Sequence, residues 1–151
     1  MIRIRKADIL DIDTYFKWAN EDSVRMLSYN SEKIPYEEHV KWFNHQLLDE
    51  NCFMFIFSSI VDFGQVRIQK ISNTDAVISI SLDKSFRGKG LGIQMLMMSI
   101  ELFRKSFPLI KINAYIKIEN IASKNIFERS GFFFKEVLIY KTRKSYHYIN
   151  S

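Results

Sequence analysis

Cysteine is nearly absent. Cys52 is the sole one among 151 residues, so no internal disulfide can form, and the chain suits a reducing compartment such as the cytoplasm. Proline occurs twice, at Pro35 and Pro108, and no Pro/Gly/Ser-rich linker, repeat or low-complexity tract breaks the chain. Residues 1–151 therefore read as one domain, long enough to bury a core unaided. No apolar run approaches the ~20 residues of a membrane span. The start, MIRIRKADILDID, lacks the apolar stretch and small-residue cleavage site of a signal peptide. Glycine is also scarce: there are five, and three of them crowd into the hexapeptide Arg87–Gly92.

What is present is ordinary globular composition, 47% hydrophobic and 26% charged, with a net charge of +5. The lysines and arginines are scattered, apart from Lys141, Arg143 and Lys144. That pattern reads as solvated surface and not as a nucleic-acid face. Apolar periodicity predicts strands at residues 2–5, 52–57, 65–70, 76–82, 110–116, 132–139 and 143–149, and helices at 11–20, from 35 onward, 91–107 and 120–130. Asp8 or Asp11 is a candidate cap for the first helix, and Gly131 suits the end of the last. The fold class is α/β: a mixed, mostly antiparallel sheet of about seven strands with about four helices.

The glycine cluster carries the chemistry. Gly88, Gly90 and Gly92, with Leu91, lie between a strand and the start of a long helix. Glycine there permits a tight turn and close approach of backbone to a ligand. The helix start offers free N–H groups and a positive dipole end, which together bind phosphate or pyrophosphate. Arg87 and Lys89 add cations. The spacing is wrong for a dinucleotide fingerprint, and Gly88-Lys89 is followed by Gly90 where a nucleotide-triphosphate loop needs Ser or Thr.

Arg87-x-x-Gly90-x-Gly92 resembles the pyrophosphate loop of the GNAT acetyltransferase superfamily. Asn120-Ile-Ala-Ser123…Phe127…Gly131-Phe132 resembles its second signature. The likeness spans essentially the whole chain in element order. It implies a GNAT-type fold whose central strands splay to admit pantetheine, with acetyl-CoA as donor and no metal. On that resemblance Ile80, Ser81 and Leu82 pair with the pantetheine, Arg87 to Gly92 hold the pyrophosphate, and Asn120, Ser123, Lys124 and Phe127 flank the donor. A non-catalytic acyl-CoA-binding module is the alternative of another class.

Relatives commonly place a proton-donating tyrosine seven residues after the motif asparagine. Here Phe127 stands there. Tyr115 is the substitute candidate, and Ser81 and Asp75 are candidates for handling the amine proton. A lysine-like amine of pKa about 10.4 needs a strong base near neutral pH, whereas one of pKa ~8 does not. The absence of a glutamate on the 77–82 strand face favours the weaker amine.

The remaining polar and aromatic set, Trp18, Asn20, Arg25, Asn30, His39, Gln65 and Arg67, mixes rings, amides and cations in a way that fits a sugar nucleotide. The stretches Trp18-x-Asn20…Val24-Arg25, Glu37-Glu38-His39-x-x-Trp42-Phe43, Gly64-Gln65-Val66-Arg67 and Ile78-Ser79-Ile80-Ser81 resemble acetyltransferases of nonulosonic-acid (pseudaminic- or legionaminic-type) biosynthesis. That likeness implies a UDP-linked amino-deoxy sugar as acceptor. Protein N-terminal (ribosomal-protein-type) and small-amine acceptors are the alternatives. Neither nucleic acid nor membrane is an expected partner, and a monomer or homodimer is expected.

Overall fold

The structure is a computed structural model that describes residues 1–151. Its strands are β1 (Arg3–Lys6), β2 (Cys52–Ser58), β3 (Asp62–Lys70), β4 (Asp75–Leu82), β5 (Lys111–Lys117), β6 (Phe133–Tyr140) and β7 (Arg143–Asn150). Its helices are α1 (Ile12–Ala19), α2 (Asp22–Leu27), α3 (Tyr36–Leu48), α4 (Leu91–Ser106) and α5 (Ile121–Arg129). The sheet order is β1-β2-β3-β4-β5-β7-β6, and only the β4–β5 pair is parallel. No helix is long and apolar enough to cross a membrane.

Alternation along the strands sorts side chains onto two faces. On one face Ile68, Ile78, Ile112 and Tyr148 pack with Met95, Leu96 and Phe103 of α4 and Phe127 of α5. On the other, Met54 and Ile56 pack with Tyr15 of α1 and Phe43 of α3. Phe43 and Ile56 are fully buried, and each contributes about 1.5–3 kcal/mol by leaving water. Helix α4 buries Gly92, Met95, Leu96, Ser99, Ile100 and Phe103, one stripe at helical spacing.

The sequence reading differs from the structure at one element. α2 was not anticipated, so there are five helices where four were expected. It is six residues long and buries none of them, so it leaves no apolar period to read. Asp8 caps the short 3-10 turn at Ile9–Asp11 through Leu10 N at 2.8 Å. Asp11 does not cap α1 with its side chain; its carboxylate accepts from Asp8 N at 2.8 Å and from both terminal nitrogens of Arg5 at 2.7 and 2.8 Å.

One irregularity positions everything that follows. β4 and β5 pair at only three positions: Asp75 with Lys111, Ala76 with Ile112 and Val77 with Asn113. Beyond Val77 the strands part, although β4 continues to Leu82 and β5 to Lys117. The backbone groups of Ile78–Leu82 that point away from β3 meet no neighbouring strand. Such groups need a partner when sequestered from water.

Candidate active site

The wedge between β4 and β5 opens toward the loop that starts α4. Gly88 and Gly90 adopt φ of +77° and +76°, which side chains other than glycine rarely take. A Cβ at either would meet nothing within 4 Å, so these glycines serve backbone conformation and leave the loop's outer surface clear. Gly92 works differently. A Cβ there would approach Ile126 Cδ1 to 3.0 Å, so its missing side chain lets α4 seat closely against α5. No side chain caps α4 and no acid lies in its first turn, so its N–H groups and positive end are available to an anion. Lys89 is exposed, with its ammonium 5.5 Å from the Phe86 ring centre.

Arg87 is not free for phosphate. Its guanidinium donates to Leu82 O (3.0 and 3.2 Å), to Ser23 Oγ (2.8 Å) and to Glu21 Oε2 (3.1 Å). It ties the end of β4 to α2. The hydrogen bond from Ser23 and the pairing with Arg87 hold the Glu21 carboxyl down at about 2. Across the wedge, Lys117 Nζ donates to Ser28 O and Met26 O (3.3 and 3.4 Å). The Tyr29 hydroxyl lies 2.6 Å from Ser145 Oγ. The segment from Glu21 to Tyr29 therefore spans the wedge mouth, fastened on both sides.

Among the residues expected to flank the donor, Asn120 caps α5 by accepting from Ser123 N at 3.2 Å. Lys124 pairs with Glu128 at 3.4 Å. Phe127 is buried and packs edge-on against Phe132 at 5.0 Å, so it lines no open surface and belongs to the core.

On the α1/α3 face the wedge is bordered by Ser79 and Ser81 of β4 and Tyr115 of β5, with Gln65 and Arg67 of β3 and His147 of β7 one strand further out, in register with them. Gln65 Nε2 donates to Ser81 Oγ at 3.0 Å, and its Oε1 is buried with no partner. Arg67 is half-buried, lies 5.2 Å over the Trp42 ring and has neither an ion pair nor a hydrogen bond within the protein. Burial pushes its pKa below the usual guanidinium value, which means its charge is held at a cost. Tyr115 is sandwiched between Tyr140 (4.0 Å) and His147 (4.5 Å). Burial raises its pKa, so the hydroxyl keeps its proton through neutral pH.

Most of the other expected acceptor residues are committed to structure. Trp18 is buried and donates to Asp83 at 3.1 Å. Asn20 bonds Ile34 N and O, at 2.8 and 2.9 Å. Arg25 donates to Ala19 O, Asn30 O, Glu32 O and Ser28 Oγ. Asn30 Oδ1 accepts from Glu32 N. His39 is buried and bonded to Ile12 O at 2.8 Å. Trp18 ties α1 to the turn after β4, and the other four brace α1, α3 and the segment between them; Gln65 and Arg67 lie on the same sheet face, in register with Ser81 and Ser79. Asp75 is likewise occupied, by Asn113, Thr74 and Lys111. That suits an anchor better than a base. The residue missed from sequence is His147, which a lone histidine in a terminal strand does not advertise.

Residues 2–133 match the model of the acetyltransferase (GNAT) domain family. No curated protein matches. Among solved structures, the chain is similar to spermidine N-acetyltransferase from Vibrio cholerae in complex with CoA and spermine. There the TM-score is 0.88 at 15% identity, over 99% of this chain and 94% of that one. It is also similar to aminoglycoside acetyltransferase AAC(6')-Ib in complex with coenzyme A and kanamycin, with TM-score 0.86 at 15% identity over 100% and 95%. The split between β4 and β5, the uncapped α4 and the family match agree: this chain belongs to the GNAT acetyltransferase family and uses acetyl-CoA to acetylate amines.

Proposed function

We propose that this protein acetylates a primary amine on a small molecule that also carries negative charge, and that a UDP-linked amino-deoxy sugar is the acceptor that fits best. Arg67 carries the proposal. A half-buried guanidinium with no carboxylate partner is costly to keep. It is worth keeping where an anionic ligand supplies the missing partner through charge-assisted hydrogen bonds. Gln65, with an unpartnered buried oxygen, adds an acceptor for a hydroxyl beside it.

The chemistry balances simply. The amine nitrogen bonds to the acetyl carbon, the carbon–sulfur bond breaks, the nitrogen gives up a proton, and the thiolate leaves with one. The chain's part is to hold and orient. Main-chain amides at Gly88–Gly92 and Lys89 take the diphosphate, and the free edge of Ile78–Leu82 pairs with the pantetheine amides. Those same edge N–H groups stabilise the acetyl oxygen as charge develops on it. Ser81, bonded to Gln65, stands where an amine proton is relayed to water. Tyr115, protonated at neutral pH, is the donor proposed for the thiolate in place of the absent tyrosine at position 127.

The solved relatives named for spermidine and aminoglycosides favour a second reading, a small cationic amine. A thiol-release assay over UDP-amino sugars, spermidine and an aminoglycoside separates the two. Turnover restricted to the polycations would overturn the anionic-acceptor reading.

A further inference from the structure

At the point where β4 and β5 part, four strands are linked by one row of polar side chains. Asn113 of β5 donates through Nδ2 to Asp75 Oδ1 (2.9 Å) and to Ala76 O (3.1 Å), both on β4. Its Oδ1 lies 2.7 Å from His147 Nε2 on β7. His147 Nδ1 lies 3.6 Å from Glu136 Oε2 on β6. Asp75 is held in turn by Lys111 at 3.5 Å. Because the Asn113 amide nitrogen is spent on two acceptors, its oxygen must accept, so His147 carries its proton on Nε2. Asn113 is 3% and His147 6% exposed. Three hydrogen bonds hold the Asn113 amide in one orientation, and displacing it strands its partners.

The row sits at the last β4–β5 rung, Val77 with Asn113, beyond which the wedge opens. We infer that Asn113, held by Asp75 and His147, forms the floor of the acyl-donor crevice and restricts the donor to the shortest acyl groups. The inference rests on the placement of the pantetheine between β4 and β5 proposed above. An acetyl group ends before this floor. A butyryl chain running the same way meets the Asn113 amide, which cannot move aside without breaking three hydrogen bonds.

Donor binding tests this without knowledge of the acceptor. Calorimetry with CoA, acetyl-CoA and butyryl-CoA on the intact chain is expected to show acetyl-CoA bound at least tenfold tighter than butyryl-CoA. Asn113→Ala should shrink that gap to about threefold or less while leaving the CoA affinity within a few-fold. Val77→Ala, a milder change at the same rung, should narrow it in the same direction and serves if Asn113→Ala does not fold. Wild-type protein that binds butyryl-CoA as well as acetyl-CoA would overturn the inference. So would variants that weaken all three ligands equally, since that marks a purely structural row. If wild type binds none of the three, the donor reading falls and the inference falls with it, an outcome distinct from an unchanged acyl preference.

Discussion

Val77 and Asn113 form the last rung between β4 and β5, and every feature of the site is arranged around the gap that begins one residue later. On one side the free edge of β4 leads to the uncapped start of α4. On the other, Tyr115 and His147 stack along β5 and β7.

Gly90 is the sharpest probe of the donor loop. Its φ is +76° and the space around its missing Cβ is open, so Gly90→Val brings backbone strain and no internal clash. We expect a stability loss of about 1–2 kcal/mol. Because the loop amides would be misdirected, acetyl-CoA affinity should fall far more than that strain alone implies. Thermal melts and calorimetry on one preparation check both.

Arg67→Met separates function from structure. Removing a charge with no protein partner relieves desolvation, so the melting temperature should stay level or rise. The acceptor KM should rise by ~10–100-fold, the worth of a charge-assisted hydrogen bond, with the acetyl-CoA KM unchanged. A fall in melting temperature with unchanged acceptor KM would assign Arg67 to the scaffold.

Arg25→Ala should behave in the opposite way. Its guanidinium holds three carbonyls and a hydroxyl between α1 and α3. We expect a loss of about 2–3 kcal/mol in denaturant unfolding, with a smaller effect on acceptor KM than Arg67→Met shows.

His147 gives a pH signature. Burial holds its pKa below the ordinary 6.5, so the neutral ring is the form the fold favours. Its contribution is full above pH 6.5 and is lost as pH falls from there through the folded-state value, because the unfolded chain binds the proton first. The melting temperature should drop between pH 7 and 5, and His147→Gln should flatten that drop.

The contrast between Arg67 and Arg25 shows what sequence could and could not supply. Each strand and long helix announced itself through period, and Gly88-x-Gly90 through its position between a strand and a helix. Side-chain commitment did not. Arg25, Asn20 and His39 look like ligand-binding residues in one dimension, yet their partners Ala19, Ile34 and Ile12 are backbone groups that only the folded segment brings near. α2 was silent because it buries nothing. His147 was silent because its partner Asn113 lies 34 positions away.

Titration of the purified protein with acetyl-CoA, followed by thiol release on adding a UDP-amino sugar, tests the account most directly. Saturable one-to-one binding that Gly90→Val abolishes, with amine-dependent release of CoA, is the predicted result. No binding heat with acetyl-CoA, or binding that Gly90→Val leaves intact, would contradict it.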